Sequence, residues 1–181
     1  MSSSSRAGAP TTAAGTRFLC RITTASSPPS DPAPHDYRAR AAACDPRRAG
    51  VLKKLAGLSE ADARRSTVPS GTNVAGLVQH LTFAESNWFE EVVTGGKAKR
   101  GKRSMQVDPE VSLKTLRADY RAACEASNEI IDAIGDPDAP VTRNGTTHDL
   151  RWAILSVIGE TARHAGHADI IREQLDGTTG R

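Results

Sequence analysis

The stretch Trp152-Ala153-Ile154-Leu155-Ser156-Val157-Ile158-Gly159-Glu160-Thr161-Ala162-Arg163-His164-Ala165-Gly166-His167-Ala168-Asp169-Ile170-Ile171-Arg172-Glu173-Gln174-Leu175 decides how this chain folds. Its apolar residues Trp152, Ala153, Val157, Ile158, Ile171 and Leu175 return at helical spacing, and Gly177 ends the pattern. A helix from near Thr146 or Thr147 to Gly177 is therefore expected. Trp152 to Ile158 is apolar nearly all round and should be its most buried part. Beyond it, the same period turns polar residues inward. At about 100° per residue, with Glu160 at zero, His164 falls at about 40° and His167 at about −20°. Ala153, Val157, Ile171 and Leu175 share that side, whereas Arg151, Asp169 and Glu173 point away. A charged Glu buried alone costs several kcal/mol or loses its charge, so something must satisfy Glu160.

Three more helices precede this one. The first covers Pro46 to Gly57, with Val51, Leu52 and Leu55 on one side, and the alanines 41–43 permit an earlier start near Asp36. Ser59 caps a short turn through Ala63. The second follows Val68-Pro69-Ser70-Gly71, with Thr72 as N-cap, and buries Val74, Leu77, Val78, Leu81, Ala84, Trp88 and Val92 before Gly95-Gly96 stops it. The third begins after Asp108-Pro109, carries Leu113, Leu116, Tyr120, Ala123, Ile130, Ile131 and Ile134, and ends at Gly135. No period-2 run of useful length signals a strand. Four amphipathic helices with polar connections define an all-α four-helix bundle.

Composition divides the chain of 181 residues. Of residues 1–34, 25 are Ser, Thr, Ala, Pro or Gly, and the larger apolar side chains there are Met1, Phe18, Leu19 and Ile22. Such a segment buries too little to offset ordering entropy, so residues 1–35 are expected to be a disordered extension and residues 36–181 the folded domain. The extension carries +2 of the formal net charge of +3, which leaves the domain nearly neutral and without a field for nucleic acid. Cys20, Cys44 and Cys124 are odd in number and widely spaced, which excludes a disulfide framework and a thiolate zinc ribbon. No run reaches the ~18 apolar residues of a membrane span, and no apolar core of a secretory signal is present. A cytoplasmic protein without membrane contact fits these features.

The chemistry-bearing residues converge on one set. Glu160 and His164 stand one helical turn apart, so their Cβ atoms are about 5–6 Å from each other. On the second helix His80 lies at the edge of the apolar stripe, on a line with Asn73 and Asn87. His80, Glu160 and His164 would make a three-ligand nitrogen/oxygen set, and catalytic zinc commonly uses three protein ligands with a further position open. His167 is a fourth ligand, a group that orients a ligand, or a catalytic base beside the open position. A hydrogen-bonded core histidine is the plainer reading of any one of these residues taken singly.

Val68-Pro69-Ser70-Gly71-Thr72-Asn73, Gly76-Leu77-Val78-Gln79-His80-Leu81 and above all Glu160-Thr161-Ala162-Arg163-His164-Ala165-Gly166-His167-Ala168-Asp169-Ile170-Ile171-Arg172-Glu173 resemble the DinB/YfiT-like superfamily, in particular its actinobacterial mini-circle branch. The resemblance covers about residues 46–177. It implies a four-helix bundle with one divalent metal, zinc first and nickel second. Most of that superfamily uses three His. Here Glu160 replaces the earlier last-helix His, which is similar to the mycothiol-dependent maleylpyruvate isomerases. The implied activity is a transfer or isomerisation in which the metal activates a low-molecular-weight thiol of the mycothiol kind. A metal-binding, stress-associated bundle without turnover and a metal-dependent hydrolase are the alternatives.

The remaining features read more plainly. Lys97, Lys99, Arg100, Lys102 and Arg103 form a basic loop without aromatic residues, a solvated loop rather than a nucleic-acid contact. Arg172 either pairs with Asp169 or holds a substrate carboxylate. Trp88, with Tyr120 and Trp152, belongs to the core or to a substrate-binding wall. Cys124 is expected to be a buried, inert thiol. Small-molecule thiol and electrophile are the expected partners, and a homodimer is left open.

Overall fold

The computed structural model of the chain describes residues 45–97 and 105–179. The expected disordered extension, the earlier start of the first helix near Asp36, and Lys99, Arg100, Lys102 and Arg103 of the basic loop lie outside the described residues. No helix among them is long and apolar enough to cross a membrane.

Short polar side chains begin most of the helices by accepting from backbone N–H groups that have no partner in the first turn. After α1 (Asp45–Lys54), Ser59 starts α2 (Glu60–Arg64) with Oγ accepting from Asp62 N at 3.0 Å. Asn73 starts α3 (Val74–Ser86), Ser112 starts α4 (Leu113–Ile134) and Asp149 starts α5 (Leu150–Asp176) in the same way. The cap of α3 is thus Asn73 and not Thr72. Asn73 Oδ1 accepts from Gly76 N at 2.8 Å while its amide donates to Met105 O at 2.9 Å, so this side chain also ties the helix start to the segment before α4. Thr72 is occupied with the Ser70 hydroxyl at 2.9 Å. α4 and α5 end on left-handed Gly135 and Gly177, at φ 66° and 75°.

The four-helix, all-α architecture is present, with two features that the periodicity did not show. α3 continues into a π-helical stretch, Asn87–Val93. A hairpin of β1 (Pro140–Arg143) and β2 (Thr146–Asp149) also precedes α5, antiparallel, with Val141 opposite His148 and Arg143 opposite Thr146. The expectation of no strands and of a last helix starting at Thr146 or Thr147 is corrected accordingly. Each strand has four residues, and Val141 is the buried apolar residue between them, too little for a period-2 pattern. The turn residues Asn144 and Gly145 take φ 51° and 79°, the positive angles of a two-residue hairpin turn.

α3 packs on α4 and α5, and α1 packs on α5. The core forms two clusters. Val51, Leu55, Leu77, Leu81, Leu116 and Tyr120 belong to one; Phe89, Ile131, Val141, Leu150, Ile154 and Val157 make the other. Glu85 sits one turn from Leu81 and one from Phe89, and is 1% exposed. Arg48 of α1 reaches it with Nε to Oε1 at 2.8 Å and Nη2 to Oε2 at 2.6 Å, and donates from Nη1 to Asn128 Oδ1 of α4 at 2.8 Å. A buried bidentate pair therefore joins α1, α3 and α4 where the clusters meet.

Gly76 is required by a close approach. A Cβ at this position would lie 2.9 Å from the Cα and carbonyl carbon of Met105 and nearer still to its oxygen. Backbone cannot yield as a flexible side chain does, so the strain, about 2–3 kcal/mol, exceeds the ~1 kcal/mol of helix propensity that alanine returns. Gly76→Ala is expected to lower stability by about 1–2 kcal/mol on those terms. Urea unfolding measures it, and an unchanged or raised midpoint would contradict the close approach.

Candidate metal centre

His80 meets Glu160 across α3 and α5; eight residues farther on, in the π-helical continuation of α3, Trp88 meets Trp152, eight residues earlier on α5. The two helices are therefore antiparallel neighbours. Along their seam, His80 Nε2 lies 3.1 Å and His164 Nε2 3.0 Å from the same atom, Glu160 Oε1. The two imidazoles stand edge to face, with ring centroids 4.7 Å apart. Glu160 Oε2 is engaged by Arg163 Nη1 at 3.0 Å, which leaves Oε1 to the histidines. All three side chains are half-buried: His80 is 35% exposed, Glu160 22% and His164 13%.

The electrostatics put two of the three in a ligating state. Burial raises the Glu160 carboxyl, but the hydrogen bonds from His80 and His164 outweigh it, and the net pKa is below the usual carboxylate value. Burial pushes the His164 imidazole down more than its bond to Glu160 lifts it, so its net pKa lies below the ordinary histidine value. At neutral pH Glu160 is charged and His164 neutral. Since a ligand must be free of its proton, zinc affinity is expected to hold through the neutral range and to fall as acid protonates the site. Zinc competition titrations across pH check this; affinity that rises on acidification would contradict it.

One carboxylate oxygen and two imidazole nitrogens lie within 4.8 Å of one another, and this is the metal-competent group among the described residues. Ligand atoms about 2.0–2.1 Å from one tetrahedral zinc stand about 3.3 Å apart, so the contacts of Glu160 with each histidine are already near the required spacing. A mixed nitrogen and oxygen set suits zinc or nickel. The residues present fit a divalent cation.

The other expected site residues are distributed differently. His167 is exposed and lies behind His164, with Nδ1 3.3 Å from His164 Nδ1. Trp88 is half-buried, T-shaped against Trp152 at 5.2 Å, with the Arg143 guanidinium 4.0 Å above its ring. His148, on β2 rather than at a helix start, stacks on Trp152 at 3.7 Å. Arg172 is buried and donates to the carbonyls of Lys54 and Ala56 at 2.8 and 2.7 Å and to Asp176 at 2.8 Å. It holds the end of α1 and is not brought to the trio. Its expected pairing with Asp169 does not form: Asp169 pairs with Lys54. Cys124 is half-buried, 3.9 Å from Glu85 Oε1. The sequence reading passed over Arg163, although its place three residues after Glu160 is the signal for such a pair.

An all-α bundle whose antiparallel helices close two His and one Glu on a single point is a helical protein with a candidate divalent-cation site among its described residues. The chain belongs to the mycothiol S-transferase family: the family model described as MST, Mycothiol-S-transferase, matches residues 41–177. Searches of curated proteins and of solved structures gave no match.

Proposed function

We propose that this chain is a divalent-metal-dependent S-transferase that joins the sulfur of a mycothiol-type thiol to an electrophile, with His80, Glu160 and His164 holding the metal, zinc before nickel. One observation carries the reading: in a chain of the mycothiol S-transferase family, two histidines from neighbouring helices converge on the same carboxylate oxygen. A divalent cation held there supplies the positive charge that ionises a thiol near neutral pH, where a free thiol of pKa about 8.5 is only a few per cent thiolate.

The chain's own groups do the rest. Glu160 brings one negative charge to the site, and Arg163 fixes its second oxygen, so the carboxylate keeps Oε1 toward the histidines. The partial exposure of His80 leaves the trio open to a small molecule from solvent. Trp88 and Trp152 stand farther along the same α3–α5 seam and offer apolar surface to the electrophile. In the overall reaction a sulfur–carbon bond forms as the bond from that carbon to a halide or to an epoxide oxygen, or the carbon–carbon π bond of an unsaturated carbonyl, breaks. The thiol proton goes to water with the released halide, to the epoxide oxygen, or to the α-carbon. A reducing cytoplasm, where a small thiol stays reduced, suits this chemistry.

The test is direct. Zinc-loaded protein is mixed with mycothiol and a panel of halogenated aromatics, epoxides and unsaturated carbonyl compounds. Thiol consumption above the uncatalysed rate, lost on chelation, is expected with at least one of them. If metal-loaded protein accelerates none, the transferase reading is wrong and a metal-binding bundle without turnover takes its place.

A further inference from the structure

His164 uses both of its ring nitrogens. Nε2 faces Glu160 Oε1 at 3.0 Å, and Nδ1 faces His167 Nδ1 at 3.3 Å. The rings of His164 and His167 cross at 62°, with centroids 5.3 Å apart. His167 itself is exposed on the last helix and contributes nothing to either apolar cluster. Nor does it belong to the group of atoms that converge within 4.8 Å.

A hydrogen bond between two imidazole nitrogens needs one N–H and one lone pair. A neutral imidazole has a single N–H, so its place on one nitrogen leaves the other as the ligating lone pair. Facing the charged Glu160 carboxylate, Nε2 of His164 carries the proton and donates it. When Nε2 faces a cation instead, that proton must sit on Nδ1 and needs an acceptor there. The acceptor within reach is His167 Nδ1.

We infer that His167 is a positioning residue: it accepts the Nδ1–H of His164, and by fixing that tautomer and ring orientation it raises the affinity of the trio for a divalent cation. The inference rests on the metal site proposed above and assigns His167 neither as a fourth ligand nor as a base toward substrate. Outer partners of this kind are worth about 10–100-fold in metal affinity.

The experiment is a zinc competition titration on the full chain against a chromophoric chelator, with wild type, His167→Ala and His167→Asn. Asparagine places an amide oxygen near the position of the lost Nδ1, so it retains an acceptor. His167→Ala is expected to weaken zinc binding by about 10-fold or more, and His167→Asn to stay within about threefold of wild type. The melting temperatures of the metal-free proteins are expected to be alike, since an exposed side chain is exchanged. The inference is overturned if His167→Ala binds zinc as tightly as wild type, or if His167→Asn is as weak as His167→Ala. Wild type that binds no zinc would overturn the metal site itself and this inference with it; wild type that binds zinc but turns over no thiol would overturn only the transferase reading.

Discussion

Glu160→Ala is expected to weaken zinc binding at least about a hundredfold, because even the outer partners of metal ligands are worth about 10–100-fold. The reason lies in one atom. Glu160 Oε1 is the point on which His80 Nε2 and His164 Nε2 both converge, at 3.1 and 3.0 Å. Removing it would take away one of the three proposed ligands, the site's negative charge and the atom on which the two imidazoles converge. The helix itself gains from alanine, so folding should survive the loss. Glu160→His offers a sharper comparison: it restores three ligating side chains with one charge fewer, and should keep most of the affinity that alanine loses. Equal zinc affinity for wild type and Glu160→Ala would show that the carboxylate is no ligand.

Arg48→Ala is expected to cost about 3–5 kcal/mol of stability, the typical result of stranding one member of a buried pair. Glu85 is 1% exposed, and Arg48 supplies two hydrogen bonds to it, one on each carboxylate oxygen. Without Arg48, the hydrogen-bonding group left beside Glu85 among the described residues is the distant Cys124 thiol, 3.9 Å from Oε1. A domain with about 5–15 kcal/mol of total stability would be left marginal. The double variant Arg48→Met/Glu85→Leu should recover most of the loss, since apolar replacement of a whole buried pair is often neutral or stabilising. Urea unfolding of the three proteins decides it. Arg48→Ala within about 1 kcal/mol of wild type would mean that water or another group satisfies Glu85, contrary to this account.

The helices and the trio were legible because both depend on local spacing. Glu160 and His164 are one turn apart on a helix whose apolar residues mark its inner side, and His80 stands at the edge of another apolar stripe. What was not legible depends on distance or on degree. The partner of Glu85 lies 37 residues earlier, on another helix, where the spacing along either helix gives no sign of it. Glu85 itself could have been noticed, four residues after Leu81 within the apolar pattern. The wheel also centred the inner side too near Glu160. Buried Val157, Thr161 and Ala168 place the core at about 60–100° on that scale, so Glu160 sits at the rim and His167, at about −20°, falls outside it. Arg172, at about 120°, falls on the core side, and is buried to reach the carbonyls that end α1 rather than a substrate. The hairpin carries its signal in Asn144-Gly145, but strands this short give no period to read.

In the proposed site, His80, Glu160 and His164 hold one divalent metal. Elemental analysis of purified wild type and His80→Ala, each reloaded with zinc and freed of excess, tests it most directly. About one zinc per wild-type chain, and little in His80→Ala, is the expected result for a three-ligand site. Wild type without bound metal, or His80→Ala with a full complement, would contradict it.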